Sequence, residues 1–375
     1  MNISRYIEDN QVSATSGLAI DEMLASRVGT GQSPQTLRLY TYKSHCALVG
    51  RFQNIESELN LDYCLEHGIS VNRRPTGGGA IIMGSEQLGV ALAIPGKSDD
   101  SYAGVREQMA RFSRGIVAGL SSLGCSIEFR RKNDLEIAGK KIAGLGLHRT
   151  PSGGLLFHAS LLVDLDVPLM LNVLNTPFEK LSDKEISTVA ERTTTVRREV
   201  GENLSVDEVR EKILEGYQEA FQVDIQKGNY SDAELVEAQN LENSKYLDKN
   251  WIYQTTDVPD STGKAKVKTA GGLLDVRMVL AGKMIKSTFI GGDFFTSENA
   301  IADLEQSLRW HSSQSKLILG TINKVYKRWS DDLATLPQEA LIRALEMALK
   351  RAEVSAKKVA VDPYGCFVSP GSVHV

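Results

Sequence analysis

Arg73-Arg74-Pro75-Thr76-Gly77-Gly78-Gly79-Ala80 is the stretch on which the reading of this chain turns. Three glycines in a row remove three β-carbons, so backbone amides can come close to a ligand. Successive amides in such a turn can form a nest for an anion. The two arginines just ahead add full positive charge. The stretch is not a Walker loop, because no GK[ST] follows at the required spacing. Nor is it a dinucleotide fingerprint, because no GxGxxG opens a helix here. Its plain alternative is a glycine-rich hairpin turn with two exposed arginines.

Strand-like runs flank this stretch: ISVNRR from 69, AIIM from 80 and LGVALAI from 88. Upstream, residues 15–28 read as a helix with Leu18, Met23, Leu24 and Val28 on its apolar side and a Thr or Ser to cap it. Strands are expected over 36–42 and 47–52, and a helix over 57–67 closed by Gly68. Downstream, Tyr102, Val105, Met109, Phe112, Ile116, Leu120 and Leu123 recur at three- and four-residue steps and predict one helix over 102–123. Residues 125–166 are strand-like again, with turns at Gly139 and at 151–154. Helical patterns at 167–175, 205–221 and 231–245 complete a large domain.

A polar stretch over 244–263 marks the boundary. Beyond it come strands at 272–280 and 283–290 around Ala281-Gly282, then helices near 297–310, 314–328 and 337–353. The expected division is a catalytic domain over 1–246, an accessory domain over 247–355 and a tail over 356–375 with no clear period. The expected architecture is α+β: a mixed or antiparallel sheet with helices on one side, plus a small α/β accessory domain. Strands and helices do not alternate strictly enough for a doubly wound parallel sheet.

Two further stretches carry candidate chemistry. Asn133-Asp134-Leu135-Glu136-Ile137-Ala138-Gly139-Lys140-Lys141-Ile142-Ala143-Gly144 reads as a β-hairpin with lysines just after the turn. If Ile142 faces the core, Lys141 faces the opposite side, toward a pocket or toward water. A single lysine in a hairpin is usually a solvated surface residue, and Asn133 and Asp134 serve equally well as turn formers. His158-Ala159-Ser160-Leu161-Leu162-Val163-Asp164-Leu165-Asp166 places one histidine on an apolar strand, where a packing role is the ordinary one.

Composition excludes several classes. Apolar residues make up 42% and charged residues 24% of the 375, the balance of an ordinary soluble globular protein. The net charge of −4 gives no reason to expect nucleic acid as a partner. The four cysteines, Cys46, Cys64, Cys125 and Cys366, contain no CxxC pair, which argues against a zinc site and against a disulfide framework. No apolar run is long enough to span a membrane and the N-terminus lacks a signal-peptide core, so a cytoplasmic protein is expected.

Taken together and in order, the three stretches resemble the lipoate–protein ligase family, whose catalytic domain is related in fold to biotin–protein ligases and class II aminoacyl-tRNA synthetases. The family pattern is Arg-Arg-x-Ser/Thr-Gly-Gly-Gly-Ala, then Asn-Asp shortly before Lys-x-Ser/Ala-Gly, then His-x-x-Leu-Leu-x-x-x-Asp. Gly50-Arg51-Phe52-Gln53-Asn54, Ile186-Ser187-Thr188-Val189 and Gly292-Asp293-Phe294-Phe295 extend the likeness.

The resemblance implies activation of lipoate or octanoate by ATP to an acyl-adenylate, then transfer to a lysine of a lipoyl-domain or H-protein-like carrier. Carboxylate and α-phosphate are both anionic, so cations must hold them together in the transition state. The resemblance gives that task to Lys141, and an ammonium suits it as a compact charge with three donors. It places Arg73 and Arg74 toward the acyl group and phosphate, and assigns Thr76, Gly77, Gly78, Gly79, Ala80, Ile81 and Ala143 to the substrate and adenylate walls. His158 falls in the acyl pocket. Asn133 and Asp134 lie near the phosphates, with Asp134 a ligand for Mg²⁺. Residues 174–192 would close over the adenylate and exclude water.

One departure is plain: where the family often has His-Asp after the glycine run, this chain has Met83-Gly84. The alternative enzyme is a cysteine-dependent octanoyl or lipoyl transferase of the same fold, which needs no ATP. Its nucleophile precedes the lysine hairpin, and Cys125 lies 8 residues before Asn133. A non-catalytic binding protein on the same fold is the alternative from another class.

Overall fold

The computed structural model describes residues 1–96, 104–130, 133–174, 192–254, 262–269 and 271–361. The chain divides into two compact units, the first of which ends at Gln254. The junction falls beyond the expected 246 because the helix Lys249–Tyr253 is docked on the first unit. Its Trp251 Nε1 donates to the Arg73 carbonyl at 3.0 Å, and Arg73 Nε donates back to the carbonyls of Trp251 and Ile252 at 3.1 and 3.2 Å.

Among the described residues the first unit has eleven strands: β1 (Arg5–Val12), β2 (Thr36–Tyr42), β3 (Cys46–Val49), β4 (Ser70–Arg73), β5 (Ile81–Met83), β6 (Gln87–Pro95), β7 (Glu128–Arg130), β8 (Asp134–Ile137), β9 (Lys140–Arg149), β10 (Gly154–Leu162) and β11 (Gln226–Lys227). Eight of them form one mixed sheet in the order β11-β1-β2-β6-β10-β9-β8-β7, and β4-β3-β5 form a second. Pairing of β1 with β2 and with β11 is parallel, and the other neighbours of the large sheet are antiparallel.

Helices cover both faces of the large sheet, not one as expected. The helix Ala14–Gly29, capped by Ser13, packs on one face with Tyr40, Ala91, Ala93 and Leu156. On the other face, Phe157 meets Phe112 at 5.8 Å between ring centroids, and Tyr217 of the helix Val206–Phe221 donates to the Phe112 carbonyl. This is why β6 reads as a continuous apolar run: a strand covered on both faces has no solvent side to alternate with. The helix expected over 102–123 is two helices, Val105–Phe112 and Arg114–Ser122. They break at buried Ser113, whose hydroxyl donates back to the Ala110 carbonyl. Residues 102 and 103 lie outside the described residues.

The second unit holds β12 (Thr262–Thr269), β13 (Gly272–Ala281), β14 (Met284–Gly292) and β15 (His311–Ser312) in one sheet, antiparallel throughout. The helices Glu298–Leu308, Ser315–Arg328 and Gln338–Val361 accompany it. It is thus an antiparallel α+β unit, and β12 lies partly in the polar stretch read as a linker. In Gly292-Asp293-Phe294-Phe295 the Asp293 carboxylate accepts from the Leu273 amide, and both phenylalanines are buried. The last helix runs to Val361, into the segment read as an unstructured tail; 362–375 lie outside the described residues. Among the described residues, no helix is long and apolar enough to cross a membrane.

One crossing in the first unit prepares the site. The glycine loop passes so close to the end of β3 that a β-carbon on Gly50 would stand 2.0 Å from the Gly78 carbonyl oxygen. Gly79, by contrast, has nothing within 4 Å of its β-carbon position. Gly50→Ala should therefore destabilise the fold by roughly 2 kcal/mol or more through backbone strain, and Gly79→Ala by less than about 0.5 kcal/mol. Paired chemical-denaturation midpoints test the contrast.

Candidate active site

β4 delivers the two arginines, and the structure separates their roles. Arg73 is fully buried and lies away from the cleft lining. Its guanidinium donates to the carbonyls of Gly50, Arg51 and Gln53 on one side and of Trp251 and Ile252 on the other. The ligand-facing role expected of it is corrected here: every one of these partners is backbone. Arg74 does line the cleft. It donates to Leu48 O, to Thr76 Oγ1, and to the carbonyls of Gly77 and Gly79 at 3.1 and 2.5 Å. Arg74 thus holds the glycine loop from inside. Gly78 turns the loop with φ of 95°, a conformation open to glycine.

Among the described residues, neither arginine pairs with a carboxylate. Burial lowers the pKa of Arg73 to about 9, with Arg51 and Arg74 adding repulsion, and burial lowers that of Arg74 to about 10. Both remain cations at neutral pH. Buried positive charge without a counter-ion favours arrival of an anion.

Lys141 reaches the same cleft from the hairpin. Ala138 and Gly139 form its turn with φ of 47° and 80°, as a two-residue hairpin requires. Glu136 pairs with Lys141 while Leu135 pairs with Ala143, so Ile142 is an extra residue in β9. Regular pairing would set Ile142 opposite Glu136 and turn Lys141 to the other face. The bulge brings Lys141 into phase with Gly144, whose missing side chain leaves it room: a β-carbon there would lie 3.1 Å from Lys141 Nζ and 3.4 Å from Ser160 Oγ. Nζ is 2.7 Å from Asp134 Oδ1, and Asn133 is fixed beside them through Leu145.

Cross-strand register explains the shape of the cleft. Tyr40, Gly89, Ser160, Gly144 and Asp134 stand in one row across β2, β6, β10, β9 and β8. The next row on that face is Arg38, Ala91, His158 and Gly146. Gly89, Ser160 and Gly144 in the middle of the first row, with Ala91 and Gly146 on either side of His158 in the second, make a trough. Tyr40 lies across Gly89, whose β-carbon would stand 2.5 Å from the ring. That ring is pinned by a hydrogen bond to Asp21 at 2.9 Å and by Arg38 stacked 4.0 Å above its centroid. With Leu18 and Tyr42 it closes the end opposite Lys141. Two strand spacings, about 10 Å, separate Gly89 from Gly144. The cleft encloses ≈ 570 Å³ with its mouth included.

His158 lines the trough. Its Nε2 is hydrogen-bonded to Thr76 Oγ1 at 2.8 Å, and a β-carbon on Gly146 would come within 2.4 Å of that nitrogen. Desolvation inside the cleft, then the nearby charges of Arg74 and His148, lowers its pKa to about 3.

Of the other residues the sequence singled out, Gly79, Ala80, Ile81 and Asn133 line the cleft. Gly77 and Gly78 are buried in the loop behind it, and Thr76 reaches it through His158. Ala143 is buried in the sheet and does not line the cleft, which corrects its assignment. At the departure from the family pattern, Met83 lines the cleft and the His45 ring takes the space beside Gly84. A β-carbon at 84 would stand 2.6 Å from that ring, so an aspartate there would have to displace it.

Tyr40, Tyr42 and Ser160 were given no role from sequence, and Gly144 entered only as the glycine of the Lys-x-Ser/Ala-Gly pattern. Gly144 and Gly146, two apart on one strand, were the available signal, since such spacing marks close approach of another group. Residues 175–191, including Ile186–Val189, lie outside the described residues. The chain leaves that segment beside the hairpin: Thr193 bridges Lys141, and the Thr194 amide donates to the Lys141 carbonyl.

Asp134 is the one carboxylate expected to hold Mg²⁺, and in this structure it faces Lys141 instead. No group of three or more His, Cys, Asp or Glu among the described residues could hold a metal ion. Cys46, Cys64 and Cys125 are buried, their thiols pushed up in pKa by burial, and none lines the cleft. Cys366 lies outside the described residues.

His158 should remain neutral throughout the working range. Because its folded pKa is depressed, the unfolded chain takes up a proton below pH 6.5 that the folded chain refuses until about 3, so stability falls as pH drops across that window. The His158 ring resonance should show no titration above roughly pH 5; proton NMR of the chain checks this against His158→Gln.

A family model described as the lipoyl protein ligase A/B catalytic domain matches residues 13–218, more than half of the chain. A LipM octanoyltransferase of Symbiobacterium thermophilum is 28% identical over 269 residues, covering 66% of this chain and 97% of that protein. Among solved structures, the bi-partite lipoate protein ligase of Thermoplasma acidophilum is 27% identical with a TM-score of 0.62, covering 69% of this chain and 100% of that one. A lipoate-protein ligase A bound with ATP is 26% identical with a TM-score of 0.58, covering 66% and 98%. The trough, the glycine loop and the hairpin lysine all fall within the matched span, and the chain belongs to the lipoyl protein ligase A/B catalytic domain family.

Proposed function

We propose that this chain transfers a lipoyl or octanoyl group to a lysine of a lipoyl-domain or H-protein-like carrier, and that it activates the acid with ATP as an acyl-adenylate. One observation carries the reading: Lys141 Nζ stands in a cleft bordered by Arg74 and Gly79, and among the described residues no cysteine lines that cleft. A chain laid across the sheet would run between the Tyr40 ring over Gly89 and Lys141 beside Gly144. The acid would lie with its apolar end at Tyr40 and its carboxylate at Lys141.

In the first step a carboxylate oxygen attacks the α-phosphorus of ATP. A P–O bond forms, the bond to the β-phosphate breaks, and pyrophosphate leaves with the electron pair. Lys141 and the buried charge of Arg74 draw the two anions together and offset the charge that builds between them. Asp134 keeps the ammonium aimed into the cleft. Thr76 and neutral His158 hold the wall of the trough without adding a competing cation.

The second reading is the thiol-dependent transferase, and the names of the curated relatives favour it. LipM octanoyltransferases at 24–28% identity recur among them. Against it, Cys125 is buried at the start of a strand-bearing segment and its thiol is raised in pKa by burial, with Glu199 adding to the effect. Both conditions disfavour a nucleophilic thiolate.

Two variants separate the readings. Lys141→Ala should reduce octanoate-dependent pyrophosphate release by roughly 10²-fold or more without lowering the melting temperature; release at the wild-type rate would defeat the adenylate mechanism. Cys125→Ser should keep ATP-driven modification of a carrier domain, read by mass spectrometry. Loss of labelling in Cys125→Ser, with wild-type labelling from an octanoyl thioester in the absence of ATP, would establish the transferase.

A further inference from the structure

We propose that Ser160 is a catalytic residue of the acyl-transfer step, donating its hydroxyl hydrogen to the acyl carbonyl oxygen beside Lys141. The assignment rests on the transfer reading above, and holds whether the acyl group arrives as an adenylate or as a thioester.

Register and packing carry it. Ser160 stands opposite Gly89 on one side and Gly144 on the other, in the middle of the trough floor. Of the residues that share that floor, Gly89, Ala91, Gly144 and Gly146 have no side-chain donor, and the His158 ring nitrogen is already engaged by Thr76. A floor that only passed an alkyl chain would need none, and a hydroxyl there removes apolar contact from the chain. Its Oγ and Lys141 Nζ both lie within 3.4 Å of one point above Gly144, the point a β-carbon would occupy. The open space over Gly144 is therefore faced by two donors from two different strands. Ser160 Oγ reaches the Gly144 carbonyl only at 3.5 Å, the long limit of a hydrogen bond, so its hydrogen can turn to a better acceptor. Asn133, fixed by its own bond to the Leu145 carbonyl at 3.0 Å, borders the same space.

The chemistry needs such a pair. The carrier amine forms a C–N bond to the acyl carbon while the carbonyl π pair moves onto oxygen. That oxyanion is held by the Lys141 ammonium and the Ser160 hydroxyl. Collapse re-forms the carbonyl and breaks the bond to the leaving group, which departs with the electron pair: a phosphate oxygen of AMP, or the sulfur of a thioester. The proton shed by nitrogen passes to water. Two donors fixed on neighbouring strands cost no reorganisation as the charge develops.

The test uses the full chain, chemically prepared octanoyl-AMP and a purified lipoyl carrier domain. Ser160→Ala should lower kcat for carrier acylation about 10²-fold, the usual effect of losing one oxyanion donor. KM for the carrier and affinity for octanoyl-AMP should stay within about twofold, and Ser160→Thr should restore most of kcat. Three results would overturn the assignment. One is a Ser160→Ala kcat equal to wild type. Another is a rise in KM alone. The third is equal loss in the Ala and Thr variants with a lowered melting temperature, the mark of a packing role. Absence of acylation by the wild-type chain from either octanoyl-AMP or an octanoyl thioester would instead remove the transfer reading itself.

Discussion

Everything in the cleft depends on how one buried guanidinium is satisfied. Arg74 has four polar partners and all are neutral: three backbone carbonyls and the Thr76 hydroxyl. Its hydrogen bonds fix the glycine loop, and its charge remains uncancelled. A carboxylate partner would have fixed the loop equally well and left the cleft neutral. Carbonyl dipoles solvate the cation well enough to keep it protonated, while leaving an electropositive wall for an anionic ligand. Position and charge thus come from the same side chain.

The sheet supplies the rest by arithmetic of register. One row of paired residues is small in the middle and the next sets His158 between Ala91 and Gly146; both are large at the β2 end, and together they give a channel with a stop. The stop is rigid because Tyr40 is held by Asp21 and Arg38, and Arg38 is itself held by Asp9 and Asp21. Such a buried network orients the ring more firmly than apolar packing alone, since each polar atom loses a partner if the ring turns. At the other end, one extra residue in β9 sets the phase of Lys141.

Much of this was legible in the sequence where local chemistry decides. The helix Ala14–Gly29, the strand Thr36–Tyr42 and the hairpin around Gly139 follow the expected bounds closely, because a Ser cap, an apolar run and a Gly turn act over a few residues. Gly79 of the triple-glycine loop and Lys141 line one cleft. What was not legible depends on partners distant in sequence. Arg73 and Arg74 are adjacent and chemically identical, and both are held by backbone carbonyls; the partners that take Arg73 away from the cleft include the helix Lys249–Tyr253, far along the chain. The periodicity over 102–123 continues through Ser113 although the helix does not. Tyr40 and Ser160 became site residues through strand register, which hydrophobic alternation does not reveal. The bulge at Ile142 was invisible for the same reason.

The fastening of Trp251 and Ile252 to Arg73 has a mechanical consequence. It works like the strain relief on a cable. The last helix of the first unit is clamped to the strand that leads into the glycine loop, and the clamp comes just before the chain departs at Thr255. A tug, an insertion or a change of length beyond that point is absorbed at the clamp before it can reach the loop.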